Sequence, residues 1–484
     1  MRRDLRLDDN TALHAAAQES ESLACVFVLD PALLRGERVG APIVQFFFDS
    51  LAELRGRLRA AHSDLALLEG EFATELIGLA KRLGADAVFY NADTEPQAVA
   101  RDKRIERALA DAGIAARGFV DQVYFDAGDV LAQTGKPYTV YTPYRRRWEA
   151  LYQERRKLPV PSLDASAKKL IAAADIGETL PIPTPEAYGH ARSEHYPRGG
   201  ERVATALLAT FLDEHAARYL DDRNTPSLAG TSFLSPHLRA GTIGIRTCIE
   251  AANAAKLGRV KHALAGIDGW ISELIWRDFY HQILVHHPKV AFEPFVEAAK
   301  RLKYRTNDVE YAAWCAGTTG YPIVDAAMIQ LNTTGWMHNR LRMIVASFLT
   351  KHLFMDYRLG ERYFEQRLAD ADLAANNGGW QWSSSTGTDA APYFRIFNPT
   401  MQGKTFDPDG TFVRAMIPAL AKVPNKFVHE PWALPPLIAA ERDFVLGRDY
   451  PEPIVDHREA RDRALASFTP VLGKKSVGPK SVKT

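Results

Sequence analysis

The chain has 484 residues, of which 46% are hydrophobic and 25% charged, with a formal net charge of +1. This length allows two or more domains with separate cores. No apolar run reaches about 18 residues, which excludes a membrane-spanning helix, and the start MRRDLRLDDN lacks the apolar core of a secretory signal. Because the net charge is close to zero, any basic surface for nucleic acid must be local. The three cysteines are far apart, which excludes a disulfide framework and indicates a cytoplasmic protein.

The first 130 residues alternate between helical and strand-like patterns. After a loop-like start and an apolar helix near 11–18, apolar runs at 22–30, 65–70 and 85–91 predict strands buried on both faces. Helical patterns follow at 43–62, 71–83 and 95–112. The order predicts a doubly wound parallel sheet in an α/β domain spanning 1–130. Such a sheet normally begins with a strand, and that first strand is missing here. Either the sheet begins unusually or the assigned start lies too far downstream.

Three further segments complete the predicted organisation. Residues 131–200 are rich in proline, which predicts a linker over the surface with few regular elements. Residues 201–460 show apolar spacings of three and four, which predict a larger all-α domain. The basic stretch 461–484 is predicted to be a disordered tail.

The segment 372–399, DLAANNGGWQWSSSTGTDAAPYFRIFNP, is both polar and aromatic. Its run of asparagine and glycine is expected to make a poor helix and a poor strand. The usual phosphate and zinc motifs have little support elsewhere. No GxGxxG follows a strand, GKT at 403–405 lacks the upstream glycine of a phosphate loop, and there is no HExxH.

Two predicted helices carry polar groups on partly apolar surfaces. On the first, Glu273, Trp276 and Arg277 share a face, either as a solvated ion pair under an indole or as part of a site. The second, GWMHNRLRM (335–343), places Asn339, Arg342 and Met343 on one side. Its other flanks are apolar, so Arg340 and Arg342 are expected to need partners, for which Asp370 and Asp372 are candidates.

The stretch GTSFLSPHLRAG (230–241) places hydroxyl groups at a predicted helix start. Such hydroxyls, together with free backbone N–H groups, can bind an anion. A plain helix cap is the equally open alternative.

Together these motifs resemble the photolyase/cryptochrome flavoproteins, and most of all the bacterial class I photolyases that act on cyclobutane pyrimidine dimers. The resemblance runs from RRDLRLDDNTAL to IVDHREAR and rests on GTSFLSPHLRAG, ELIWRDFY, TGYPIVDAAM, GWMHNRLRM and the segment at 372–399. It implies an α/β domain, a linker and a helical domain that holds FAD. The segment at 372–399 then becomes one wall of the flavin pocket.

The resemblance also implies the residues of the cofactor site. Those expected to hold FAD are Tyr219, Thr231, Ser232, Leu234, Ser235, Trp270, Arg277, Arg342, Asp370, Asp372 and Asn376. It implies that Arg342 pairs with Asp370 and that Asn376 faces flavin N5, where a neutral amide tolerates both redox states.

The same resemblance implies a DNA and lesion site. Glu273 is expected to hydrogen-bond the dimer, and Trp276 and Trp382 to form its apolar cleft. Asn339 and Met343 are also expected to contact the lesion, and Arg223, Arg340 and Gln402 the DNA backbone. Stacking on an aromatic ring stabilises a base by about 1–3 kcal/mol. Photolyases are known to flip their target out of the duplex, and a damaged pair unstacks at lower cost than an intact one, which favours the lesion.

The implied function is light-dependent DNA repair. Excited reduced FAD gives an electron to the dimer, the ring opens, and the electron returns, so the enzyme is a deoxyribodipyrimidine photo-lyase. UV-damaged DNA is the expected partner of a monomeric protein without a resident metal. A cryptochrome-type photoreceptor, repair of the (6-4) photoproduct and a plain flavoprotein oxidoreductase are the alternatives. The residues Trp276, Met343 and Asn376 favour dimer repair.

Two features depart from the family pattern. Electrons usually reach the flavin along three tryptophans, but here Trp380 is followed by Tyr357 and Tyr304. Tyrosine is harder to oxidise without losing its proton, so photoreduction is expected to be weak or to use Trp314 or Trp336, with repair intact. Folate-binding relatives have a glutamate where this chain has Ala98 and a lysine where it has Ala291. The second chromophore is therefore open between folate, deazaflavin and none.

Overall fold

The computed structural model describes residues 1–162 and 168–473. Contacts group the chain into two compact units. The first unit comprises Met1–Asp221, Gly230–Ala291 and Glu365–Ala375, and the second comprises Asp222–Ala229, Phe292–Phe364 and the chain from Asn376 onward. The predicted domain boundaries, at 130, 200 and 460, stay predictions.

Four short parallel strands lie in the first unit. They are β1 (Cys25–Leu29), β2 (Leu65–Glu69), β3 (Ala87–Asn91) and β4 (Ala115–Phe119). Strand β1 pairs with β2 and β3 pairs with β4, as two separate two-stranded sheets. The first three strands confirm the sequence prediction, and no strand precedes β1 in the described chain.

The strands are less covered than the sequence analysis predicted. Strands β1 and β2 are largely buried, but β3 is mostly half-buried and β4 mostly exposed. The expectation that the strands are buried on both faces is therefore wrong for β3, and β4 was not predicted. The core of this region is rich in leucines, among them Leu51 and Leu58 on α3 and Leu65 and Leu67 on β2.

Helices make up most of the remaining structure. Those up to residue 291 are α1 (Thr11–Glu19), α2 (Pro31–Leu34), α3 (Ala41–Ala60), α4 (Phe72–Leu83), α5 (Pro96–Asp111), α6 (Tyr141–Glu154), α7 (Ala173–Ile176), α8 (Glu201–Thr210), α9 (Tyr219–Asp222), α10 (Ser235–Ala240), α11 (Ile245–Ala254) and α12 (Lys261–His286). The later ones are α13 (Asp308–Ala316), α14 (Pro322–Thr334), α15 (Asn339–Ser347), α16 (Tyr357–Arg367), α17 (Leu373–Ser384), α18 (Pro399–Phe406), α19 (Thr411–Met416), α20 (Pro436–Glu441) and α21 (His457–Leu472). None of the described helices is long and apolar enough to cross a bilayer.

Helix α12 is the longest element and organises the first unit. It packs against α6, α11 and the short turn Ala216–Arg218. A Cβ added at Gly266 would lie 2.4 Å from the Ala216 carbonyl oxygen, so a glycine is required where these two backbones approach. Because the helix is covered on several sides, its apolar residues do not form a single stripe.

Three sequence predictions of irregular structure are wrong. Within the proline-rich segment 131–200, α6 forms a regular helix whose Tyr144 and Trp148 are buried. Residues 461–472 of the predicted tail belong to α21, where Phe468 is fully buried. The rest of that tail, 474–484, lies outside the described residues.

The third correction concerns the segment 372–399, whose first part is α17. The Asp372 carboxylate caps this helix by accepting from the Ala375 N–H at 3.1 Å. Inside the helix, Asn377 donates to Glu361 at 2.8 Å and accepts from Gln381 at 3.1 Å. These bonds to polar side chains outweigh the poor helix propensity of the asparagine–glycine run.

A buried lysine provides a test of the second unit. Lys351 has no exposed surface, its Nζ donates to Ser385 Oγ at 2.7 Å and lies 4.0 Å from the Phe468 ring, and burial lowers its pKa to about 7. The native protein therefore binds fewer protons than the unfolded chain between about pH 7 and the ordinary lysine pKa of 10.5, and stability rises with pH across that window. We expect Lys351→Met to remove this rise, which is about 2 kcal/mol between about pH 7 and pH 9.

The measurement is the urea-unfolding free energy of both proteins at the two pH values. Lys422→Met, which changes an exposed lysine, is the control and should keep the wild-type slope. A Lys351→Met protein with the same pH slope as the wild type would contradict the prediction.

Candidate cofactor and DNA site

The loop before α10 has the geometry of a cradle for an anionic group. Phe233 takes a positive φ of 54°, which turns the chain between Ser232 and Leu234. Ser232 Oγ accepts from the Trp270 indole N–H at 3.3 Å. The hydroxyl of Thr231 is buried and has no hydrogen-bond partner within residues 1–162 and 168–473. A buried hydroxyl without a partner costs stability, which indicates a ligand that binds it.

Tyr219 and Trp270 are brought together by a close helix approach. A Cβ at Gly269 would lie 2.6 Å from Leu220 Cδ2 and 3.6 Å from Tyr219 Cδ1. Both aromatic rings pack on Phe211, at centroid distances of 5.9 Å for Tyr219 and 4.9 Å for Trp270. The aromatic and hydroxyl groups that were expected to line one part of the cofactor site therefore all lie in the first unit.

Arg277 is not the exposed half of an ion pair. Its Nη1 donates to the Gln122 carbonyl oxygen, and its Nη2 is buried without a partner in the part of the chain that the structure describes. Burial lowers the pKa of Arg277, and the Asp372 carboxylate opposes that effect. The guanidinium thus has an unused donor for an acceptor on a ligand.

Asp372 has a partner that the sequence analysis did not consider. Its carboxylate pairs with Arg3, from the loop that opens the chain, and both side chains are buried. Burial raises the pKa of Asp372, but the charges of His281 and Arg3 hold it well below the ordinary value. Asp370 is also buried. Arg342 lies in the second unit and donates to the Met337 carbonyl at 2.8 Å, and its pairing with Asp370 stays a prediction.

Asn376 is held on α17 by its side-chain amide. Its Nδ2 donates to the Glu361 carbonyl oxygen at 3.0 Å. A fixed donor direction orients the rest of the amide, so the group cannot rotate freely.

An aromatic cluster surrounds Trp380 in the second unit. The Trp380 ring is buried, lies 5.0 Å from Phe364 and 6.1 Å from Trp314, and would collide with a Cβ at Gly360. Trp314 in turn stacks on Tyr311 at 6.0 Å. A continuous path of rings therefore leads from Trp380 through Trp314 to Tyr311.

The two tyrosines expected to follow Trp380 are covered by the protein. Tyr357 is 2% exposed, and Tyr304 is half-buried and packs on Phe354 at 5.5 Å. Burial raises the pKa of both phenols. Burial raises the pKa of Tyr311 in the same way, so the pKa does not distinguish the three phenols, and the ring contacts of Trp380 favour the route through Trp314.

The expected lesion cleft has an aromatic support in the first unit. Trp276 stacks face to face on Tyr141, with ring centroids 3.6 Å apart and planes inclined by 8°. The Tyr141 hydroxyl is anchored to Ser272 at 2.7 Å. Glu273 lies on the same helix and is half-buried. Tyr141 thus fixes the indole orientation, and one face of Trp276 is already occupied.

Arginines gather in the second unit despite their like charges. Arg340 donates to Asn224 Oδ1 at 2.8 Å and lies over the Phe406 ring at 4.4 Å. Burial lowers the pKa of Arg340, and the charges of Arg223 and Arg395 lower it further. Such a cluster is stabilised by an anionic partner, as phosphates provide.

The other expected DNA contacts have varied exposure. Asn339 is exposed at the start of α15, and Met343 and Trp382 are half-buried. Gln402 lies on α18, and its Oε1 is buried without a partner.

Three functional candidates were not predicted from the sequence, and a fourth residue had been given a less definite role. Arg3 and Tyr141 precede the helical region, and only their three-dimensional contacts identify them. Arg395 was visible as a basic residue inside the segment 372–399. Trp314 was noted only as a substitute route, and its ring contacts now give it a defined place.

These features place the chain in a class of flavoproteins that have a parallel α/β region followed by a large helical region. The sequence model for DNA photolyase matches residues 1–163, and that for the FAD binding domain of DNA photolyase matches residues 270–470. The chain belongs to the DNA photolyase family.

Individual relatives are similar over almost the whole chain. The deoxyribodipyrimidine photo-lyase of Halobacterium salinarum is 40% identical, covering 98% of each chain. A bacterial class III photolyase from Agrobacterium tumefaciens superposes with a TM-score of 0.88 at 35% identity, covering 97% of this chain and 96% of that one. A cryptochrome from Synechocystis gives a TM-score of 0.86 at 27% identity, covering 96% and 98%.

The chain binds FAD as its family does, and the residues present fit that cofactor. The partnerless hydroxyl of Thr231 and the partnerless Nη2 of Arg277 are donors, as an anionic diphosphate or a heterocycle with acceptor atoms requires. The residues predicted to hold FAD are assigned to it here as a proposal.

Removal of the Thr231 hydroxyl should have opposite effects on the stability of the apoprotein and on its affinity for FAD. Thr231→Val removes a buried polar atom that has no protein partner, so we expect the apoprotein to be equally or more stable. Loss of a hydrogen bond to a charged group should weaken FAD binding about tenfold or more. Fluorescence titration of apoprotein with FAD and thermal unfolding measure the two quantities.

Thr231→Ser is the matched control, because it keeps the hydroxyl and should keep the affinity. Equal FAD affinity in the valine variant and the wild type would show that the hydroxyl does not contact the cofactor.

The ring contacts also predict the electron route for flavin photoreduction. We expect Trp314→Phe to lose most of the light-driven reduction of bound FAD in the presence of a thiol, because it breaks the path from Trp380 to Tyr311. Tyr357→Phe should have the smaller effect. Absorption changes under blue light measure the rate, and repair by chemically reduced protein should stay at the wild-type level in both variants. The opposite order of the two rates would favour the route through Tyr357.

Proposed function

We propose that this protein repairs cyclobutane pyrimidine dimers in DNA under light, as a deoxyribodipyrimidine photo-lyase. Near-full-length relatives with this name support the proposal. Bound reduced FAD would supply the light-excited electron. The cyclobutane carbon–carbon bonds break and the electron returns, so the reaction has no net redox change.

The observation in the structure that carries the proposal is the arginine cluster around Arg340. Arg223, Arg340 and Arg395 lie close enough to lower the pKa of Arg340. Positive charges gathered near Arg340 attract anions, and a DNA backbone supplies closely spaced phosphates. We assign Arg223, Arg340 and Gln402 to the backbone.

The lesion would be held by aromatic and polar side chains. Trp276, supported by Tyr141, and Trp382 offer apolar faces to the flipped bases. In the proposal, Glu273 accepts or donates a hydrogen bond at the base edge, and Asn339 and Met343 complete the contact. In this assignment Tyr141 keeps Trp276 from rotating and so preserves the shape of the cleft.

Several finer points belong to the same proposal. We propose a monomer that acts in the cytoplasm, consistent with the cysteine usage. A second chromophore is compatible with the family, since a related archaeal photolyase from Sulfolobus tokodaii holds two FAD molecules.

The alternative function is a cryptochrome-type blue-light photoreceptor, which the similarity to the Synechocystis cryptochrome favours.

The deciding assay uses a UV-damaged oligonucleotide that contains one thymine dimer. The protein with reduced FAD should restore the undamaged strand under blue light and leave it unchanged in darkness. A photoreceptor without repair activity would leave the dimer intact under both conditions. An oligonucleotide with a (6-4) photoproduct tests lesion specificity and should stay unrepaired.

The variant Arg340→Gln tests DNA binding separately from the photochemical reaction. Loss of one phosphate contact should weaken binding of damaged DNA and reduce the slope of log affinity against log salt by about one. Repair of already bound DNA should proceed at the wild-type rate. Arg461→Gln, which changes an exposed arginine on α21, is the control and should leave the slope unchanged.

A further inference from the structure

Arg3 lies among three carboxylates in the first unit. Its Nη2 pairs with Asp372, and its Nη1 lies 2.7 Å from Glu95 and 3.3 Å from Asp93. Its Nε also donates to the Arg239 carbonyl at 3.3 Å. The side chain is only 7% exposed. A guanidinium has five N–H donors in one plane, so a single arginine can hold several acceptors in fixed directions.

Asp372 is held from three sides within this unit. Arg3 contacts Oδ2, the Ala375 N–H donates to Oδ1, and His281 Nε2 lies 3.5 Å from Oδ1. The other ring nitrogen of His281 bonds the Thr94 hydroxyl at 2.7 Å, which orients the imidazole. The carboxylate therefore has one defined orientation at the start of α17.

The backbone around Arg3 is fixed independently of its side chain. Leu5 N–H donates to the Ala240 carbonyl at 3.3 Å, and a Cβ at Gly241 would lie 1.9 Å from the Arg3 carbonyl oxygen. Gly241 also has a φ of 70°, so glycine is required there. The opening loop thus lies directly against the end of α10, the helix that follows the proposed anion-binding loop.

We propose that Arg3 is a positioning residue of the flavin site, which holds the Asp372 carboxylate ionised and in one orientation toward the cofactor. The inference rests on the proposed function, in which Asp372 contacts FAD. An ionised, immobile carboxylate is a strong acceptor for an N–H of a heterocycle, whereas a protonated or rotating one is not. Arg3 acts on the cofactor only through Asp372.

The test compares Arg3→Gln with Arg2→Gln in purified protein. Arg2 is the neighbouring arginine, and it binds Asp102 and the Asn91 carbonyl instead. We expect Arg3→Gln to weaken FAD binding at least tenfold relative to Arg2→Gln and to change the shape of the visible flavin band. Arg3→Lys, which keeps the charge but loses the fork of donors, should recover part of the affinity.

A double-mutant cycle with Asp372→Asn shows whether Arg3 acts through this carboxylate. In the D372N background, Arg3→Gln should have no further effect on FAD affinity or on the flavin band. If Arg3→Gln does not fold, the same cycle is run with Arg3→Lys.

The outcomes separate the two proposals. Absence of FAD from the wild type would overturn the proposed function. Wild type and Arg2→Gln that bind FAD normally, with Arg3→Gln showing the same affinity and band, would overturn the role of Arg3 alone. Equal losses of thermal stability in both arginine variants without a flavin effect would give Arg3 a structural role only, and would also overturn it.

Discussion

Charge compensation inside the first unit is the constraint on which the rest of its structure depends. The first ten residues have no regular secondary structure, yet Arg6 bonds Asp121 at 2.6 Å and the same carboxylate accepts from Arg246 at 2.9 Å. Arg3 and Asp372 form a second buried pair. Removing one member of such a pair leaves a buried charge and costs about 3–5 kcal/mol. The opening loop therefore keeps its place through ion pairs that backbone hydrogen bonds alone could not replace.

The surroundings of Arg340 in the second unit are different. The charges of Arg223 and Arg395 lower the pKa of Arg340 by repulsion, and the Arg340 guanidinium donates to the neutral amide oxygen of Asn224. A protein surface that tolerates this repulsion has a lower free energy once phosphates bind, because each phosphate contact also releases counterions. The buried ion pairs of the first unit suit a permanent scaffold, while the basic surroundings of Arg340 suit a reversible anionic partner.

The spacing of apolar residues correctly predicted those parts of the fold in which the local sequence pattern matches the burial of the element. The strands β1 to β3 and the long helices follow apolar spacings that tertiary contacts reinforce. Strand β4 was missed because Arg117 and Gly118 interrupt its apolar pattern, and its exposed position never required such a pattern. Helix α17 was missed for another reason: its stability comes from Asn377 and from the cap at Asp372, which are tertiary and end effects rather than propensity.

In the candidate site, sequence motifs predicted functional residues but not the residues that orient them. Motifs identified Asp372 and Trp276, but Arg3 and Tyr141, which orient them, are separated from them by 369 and by 135 positions in the chain. No local sequence pattern predicts such an orienting residue, because a buried arginine and a surface arginine look alike in sequence. The supports nevertheless determine how rigid the site is before any cofactor binds. A carboxylate already oriented by Arg3 and the Ala375 N–H loses little conformational entropy on binding, so more of its interaction energy remains as affinity.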